Sequence, residues 1–299
     1  MAAEQSAGLD PAAARLAWRA TEPLYGLIFF VPEAHERYAA LGIPEPMGYF
    51  ASRGAALGAV GPGPVAAAFY NFNPALVARA LPAAWSRTTP AAAVEARLAA
   101  ADAALTRGLG DAIHGPEVAE AAQLARRAAE DAAAHAGGRA LYAAHAELPW
   151  PETPHTVLWH AQMLLREFRG DGHVAALLVA GLSGLEALVL HGASGEVDAR
   201  FLRISRGWSR DDWAGAVAAL RGRGLLEPEG EPGGAPVLSE QGRALRAELE
   251  ASTDRLAVPA YAGLGEAGCA RLAELTRPLS RTVVKAGLLN PENVLAASR

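Results

Sequence analysis

One cysteine, Cys269, occurs in 299 residues. No intramolecular disulfide can form, and a cysteine-built zinc site is excluded; the residue is expected to fill a small core position. Lysine is equally scarce, with Lys285 alone, so arginine carries the rest of the basic charge. Together with the excess of alanine, this bias points to a GC-rich bacterial genome rather than to an arginine-specific role. Aromatic residues make up 6% while apolar residues reach 51%, a balance that favours helices packed on helices over sheets. No run of about 18 uninterrupted apolar residues is present, so no membrane span is expected. The opening MAAEQSAGLD lacks a basic start followed by an apolar core, so no signal peptide is expected and the cytoplasm is the expected location. A net charge of -5 argues against a chain-wide nucleic-acid surface. Walker, Rossmann and G-x-S-x-G signatures are missing, and His155, His160 and His173 match no metal-binding spacing, so no metal is expected.

What is present reads mostly as helix. Pro32 to Leu41 starts with proline in its first turn and Glu33 near its N-terminus. Asn73-Pro74 and Thr89-Pro90 each place a capping side chain before proline at the first helical position. The second of these helices runs to about Leu109, with Gly110 as its stop. Pro116 to His135 and Arg139 to Leu148 follow. Ser183 with Glu186, and Ser209 with Asp212, have the spacing of capping boxes, and Trp208 and Trp213 stand at the staple positions around the second. Length and the turn near 150–156 suggest two domains, a helical one over 1–150 and another over 151–299.

The densest chemistry lies in Thr156 to His173, TVLWHAQMLLREFRGDGH. Val157, Ala161, Leu164, Leu165 and Phe168 recur at helical spacing and mark a buried stripe. Thr156, His160, Met163 and Glu167 form a second row on a neighbouring face. The helix is expected to break at Gly170, with Asp171 as the N-cap of the next helix and His173 in its first turn. His160 and Glu167 are two turns apart, about 10 Å along the axis, too far to share one metal ion. A general base at His160 or His173, an acid or orienting group at Glu167 or Asp171, and an anion clamp from Arg53, Arg166 or Arg169 fit a pocket at this corner. The bland alternatives are a core histidine, a capping aspartate and surface ion pairs. Tyr49, Arg53 and Tyr70, with Phe50 and Phe72, offer an aromatic wall and a cation; ordinary packing explains them equally. A helical pocket with one imidazole is compatible with a haem, which nothing in the sequence selects.

The run Leu220-Arg221-Gly222-Arg223-Gly224-Leu225-Leu226, then EPEGEPGGAPV, then Leu238-Ser239-Glu240-Gln241-Gly242-Arg243, resembles the MarR-like winged helix over roughly 156–262. GYFASRGAALG, YNFNPALV and WHAQMLLREFRGDGHVAALL together look like a helix-turn-helix family of actinobacteria, a likeness that brings no activity with it. The resemblance implies a mainly α chain, a helical N-terminal half followed by a winged-helix unit with a small β-hairpin wing. It also implies a DNA-reading helix starting at Ser209 and compatibility with a homodimer. Against DNA reading, the first turn of that helix is Ser-Arg-Asp-Asp-Trp, and the wing carries Glu227, Glu229 and Glu231 where basic residues should meet phosphates. The scaffold is therefore expected to serve small-molecule binding or acid–base catalysis, with Tyr49, Arg53, Tyr70, Met163, Arg166 and Arg169 as ligand contacts. A ligand-responsive regulator that binds DNA is the alternative.

Overall fold

The computed structural model describes residues 8–230 and 234–290. Of the described residues, 75% are helical. Among the described residues the α-helices are, in order, α1 (Pro11–Gly26), α2 (Pro32–Ala40), α3 (Met47–Gly54), α4 (Pro62–Phe69), α5 (Pro74–Ala80), α6 (Pro90–Leu109) and α7 (Pro116–Asp131). They continue with α8 (Ala140–Ala146), α9 (Pro154–Val179), α10 (Gly184–Ala193), α11 (Ala199–Ser205), α12 (Arg210–Gly222), α13 (Glu240–Tyr261) and α14 (Gly265–Lys285). Local rules explain the starts. Asp10 and Asn73 accept from the amides of Ala12 and Ala75, with proline beginning α1 and α5. Ser183 and Ser209 each close a full capping box with Glu186 and Asp212, satisfying first-turn amides that a helix leaves open. No single helix among the described residues is long and apolar enough to cross a membrane.

The chain divides into two compact units, each assembled from separate stretches. The first takes the chain up to Ile28 together with Leu98–Gly172 and Thr253–Leu289. Within it α1 packs along α14, and α14 also packs on α7. Alanine makes close approach affordable: Ala14, Ala17, Ala121, Ala125 and Ala273 are all at most 1% exposed. The first turns of α9 form its centre, since every residue from His155 to Leu165 is buried. Trp159 packs on Tyr25 with ring centroids 5.6 Å apart. A helix buried on all sides is a core element rather than an amphipathic surface one.

The second unit takes Phe29–Arg97 and His173–Ser252. Here α10 packs on both α11 and α12, around Leu177, Val189, Leu190, Leu220 and Leu226. Each such leucine contributes roughly 2 kcal/mol by leaving water.

Two expectations are overturned. The helix does not break at Gly170, and Asp171 opens no new helix: α9 runs unbroken from Pro154 to Val179. Gly172 is there for packing. A Cβ on Gly172 would stand 2.7 Å from Arg139 Nη1 and 3.2 Å from Leu256 Cβ. Arg139 donates to the Phe168 and Leu256 carbonyls, and Asp171 accepts from the Tyr142 amide at 3.0 Å. Those contacts outweigh the helix propensity lost at each glycine, about 1 kcal/mol.

The β-hairpin wing is the second correction, because no strand forms among the described residues. The arms make one antiparallel bridge, Leu226 to Leu238, with the Glu227 amide donating to Val237 O at 2.9 Å. One step further the register would set Pro228 opposite Pro236. Proline fixes φ at about -65°, away from the values of an extended strand, and no further bridge forms among the described residues.

Candidate small-molecule site

The polar row of α9 is as buried as its apolar stripe. His160 is 4% exposed, Met163 2% and Glu167 1%, and the His160 ring lies 4.7 Å from that of Trp150. Asp171 sits where burial raises its pKa to about 6, against the opposing hydrogen bond from Tyr142. Two of the three arginines offered as an anion clamp pair with carboxylates of the same unit. Arg166 Nε is 2.8 Å from Glu22 Oε1, and Arg169 Nη1 is 2.8 Å from Asp254 Oδ1. Arg169 also stacks 4.3 Å above the Trp18 ring. All of these belong to the first unit.

In the second unit, Tyr49 stands within a cluster of rings with Phe29, Phe50, Phe69 and Phe72, at centroid distances of 5.2–6.2 Å. Arg53 donates to its hydroxyl at 3.1 Å and lies 4.3 Å over Phe69. This arrangement is that of a packed aromatic core with a cation on it.

His173 is the sequence-selected residue that lines a cavity inside one unit. The cavity measures about 60 Å³, and its polar lining comes from Asn71, His173, His191, Arg246 and Glu250 over a floor of Leu177, Leu190 and Leu249. One water-sized probe occupies about 10–15 Å³, so the enclosed space fits a group of about four non-hydrogen atoms. Arg246 and Glu250 also line an open groove of about 420 Å³ with Ser194, Glu196 and Leu238. These two side chains of α13 therefore separate an inner chamber from an outer vestibule.

Asn71 is held in the chamber wall by a strained corner. Tyr70 has φ 44° and ψ -49°, and the Asn71 amide donates to Phe69 O at 2.5 Å. This is a γ-turn of the rarer hand, costing on the order of 1–3 kcal/mol. Its surroundings enforce it. The Tyr70 hydroxyl donates to Leu182 O at 2.6 Å, Trp208 Nε1 to Asn71 O at 2.9 Å, and Asn73 Nδ2 to Gly207 O at 3.1 Å. Gly184 lets α10 close onto the corner, since a Cβ there would lie 2.0 Å from Tyr70 O. The outcome is that Asn71 Oδ1 is buried without a hydrogen-bond partner. An acceptor left so costs about 1–3 kcal/mol, which a ligand N–H or O–H would recover.

The remaining groups define the other half of the complement. Burial, helped by the positive charge of Arg246, holds the His191 pKa below its ordinary value, so this imidazole is neutral at pH 7 and able to accept a proton. Arg246 Nη2 lies 3.2 Å from Glu196 Oε2, and His191 Nε2 is 3.9 Å from the same oxygen. The exposed Glu196 thus shields the guanidinium at the mouth. Sequence reasoning missed Asn71, His191, Arg246 and Glu250, because no periodicity links a turn near 71 to faces of α10 and α13. The one available signal was the crowded YNFNP segment.

The helix-turn-helix face is poorly equipped for phosphates. Between Ser183 and Glu250 there are eleven carboxylates and eight arginines. Asp211 and Asp212 stand in the first turn of α12. Arg221 pairs with Glu229, and Arg223 with Glu186, each at 3.2 Å. Among the described residues no group of three or more His, Cys, Asp or Glu could hold a metal ion. A model described as a helix-turn-helix family matches residues 14–290. Comparison with curated proteins and with solved structures finds no match.

Proposed function

Because the chain belongs to this helix-turn-helix family, we propose that it uses the scaffold to bind a small polar molecule in the chamber behind Arg246 rather than to read duplex DNA. The observation that carries the reading is Asn71 Oδ1, a buried acceptor without a partner, on a residue that lines a cavity with two histidines, an arginine and a glutamate. Together they are complementary to a compact ligand carrying one hydrogen-bond donor and one anionic group, such as a small hydroxy or amino acid. Its body extends into the vestibule. The chamber is far smaller than a porphyrin requires. If the site is catalytic, neutral His191 serves as the base and His173 as its partner.

The test is calorimetry with a panel of small hydroxy and amino acids. A binder is expected whose affinity falls about tenfold or more in Asn71→Leu and in Arg246→Ala, as removal of a buried partner implies, while His114→Ala on the first unit changes nothing. Undiminished affinity in both cavity variants overturns the site. A ligand-responsive regulator is the competing reading. A gel shift at about 50 mM salt, where electrostatics are least screened, is expected to show no specific band with the chain's own upstream DNA; a salt-sensitive complex lost in Arg210→Ala favours the regulator.

A further inference from the structure

Many cations of this chain pair with carboxylates, and four that line one groove do not. Arg15, Arg126, Arg166, Arg169, Arg246 and Arg271 each pair with a carboxylate. Arg19, Arg277, Arg281 and Lys285 do not: among the described residues none of the four has an ion-pair or hydrogen-bond partner. All four line one groove of about 370 Å³ between α1 and α14, and no carboxylate lines it with them. Its apolar surface includes Leu16, 42% exposed, and Val284, 54% exposed. Lys285 is the single lysine of the sequence.

The spacing selects the occupant. Ser280 Oγ donates to Ala20 O at 2.6 Å, and further along both segments Leu289 approaches Gly26, so α1 and α14 run in the same direction. Arg277, Arg281 and Lys285 follow one another at four-residue steps on α14, about 6 Å apart and about 12 Å in all. Arg19 faces them from α1. We propose that this groove docks an amphipathic acidic helix of a partner protein. Such a helix repeats its carboxylates at the same interval of about 6 Å and seats an apolar stripe between two rims. A flat membrane does not enter a concavity between two helices, and a nucleic-acid strand gains little from an apolar floor. The proposal concerns the first unit alone and stands independently of the chamber in the second.

The experiment titrates the full chain into a labelled 18-residue model helix with leucine on one stripe and glutamate on both flanks. Expected is saturable binding with a rise in peptide helicity by circular dichroism. The affinity should fall about tenfold or more in the double variant Arg277→Glu/Arg281→Glu and, separately, in Val284→Asp, as loss of charge complementarity and of apolar contact each dictate. These side chains are exposed, and an unchanged melting curve verifies each fold; Lys285→Glu is the second charge variant. Absence of binding overturns the proposal, as does undiminished affinity in the charge-reversed chain. So does equal affinity for the same peptide broken by a central proline, for oligothymidylate, or for phosphatidylglycerol vesicles.

Discussion

Replacing Gly184 by alanine sets two effects of opposite sign against each other. Helix propensity alone favours the change by up to about 1 kcal/mol, since Gly184 opens α10. Sterics oppose it: the new Cβ would lie 2.0 Å from Tyr70 O, 2.7 Å from Tyr70 C and 3.0 Å from Asn71 Cα, all backbone atoms. Relief requires more than about 1 Å of movement at a corner already in a strained turn. That movement would stretch the Tyr70–Leu182 and Trp208–Asn71 hydrogen bonds, each worth about 1 kcal/mol net, in addition to about 1–3 kcal/mol for overpacking. The balance is a loss of about 3 kcal/mol, or a melting temperature lower by about 6–12 °C for a chain of this size. Gly215→Ala is the matched control. It lies inside α12 in the same unit, and nothing stands within 4 Å of its added Cβ, so it should stabilise by about 0.5–1 kcal/mol. Tryptophan-detected thermal unfolding of both variants decides the matter. A melting temperature for Gly184→Ala equal to or above that of the natural chain would refute the clamp on Asn71 and the site built on it.

Three further outcomes are expected. The Asp171 pKa is raised from 3.8 to about 6 by burial, so the folded state retains a proton that the unfolded chain has lost; stability falls as pH rises through about 4 to 6, by about 2–3 kcal/mol. Asp171→Asn keeps an acceptor for the Tyr142 amide and should remove that slope, read as urea midpoints between pH 4 and 8; parallel curves would contradict it. Ser209→Ala opens the capping box of α12 and should cost about 1 kcal/mol in urea unfolding, whereas no loss would mean the first turn finds other acceptors. His160→Ala removes a ring that is 4% exposed and should destabilise by roughly 2–3 kcal/mol. An unchanged melting temperature there, joined to a lost activity, would return His160 to the functional machinery.

Helix starts were legible in the sequence, because caps and first-turn prolines act over three or four residues. Asn73-Pro74, Ser183 with Glu186 and Ser209 with Asp212 all open helices where spacing placed them. So was the membership in a helix-turn-helix family. Glycine and proline misled where their role depends on a distant neighbour. Gly170 reads locally as a helix stop, yet α9 runs on through it and through Gly172, over which Arg139 passes. Pro228 and Pro236 are separately tolerable in hairpin arms; across the Leu226–Leu238 bridge they fall in the same register, and no ladder extends past them among the described residues.

The candidate chamber was legible only at His173. Its other polar groups come from a turn at Asn71, from His191 on α10 and from Arg246 and Glu250 on α13, and no periodicity connects positions so far apart in the chain. Composition and spacing determined that the chain would be helical, where its helices would begin, and that the first turn of α12 would be acidic; these follow from residue types and interactions within a turn or two. Which helix is buried on every side, which arginines find carboxylates, and which amide oxygen is left without a partner were decided by tertiary packing. Burial and pairing depend on what the fold brings alongside a residue, and one-dimensional order does not record it.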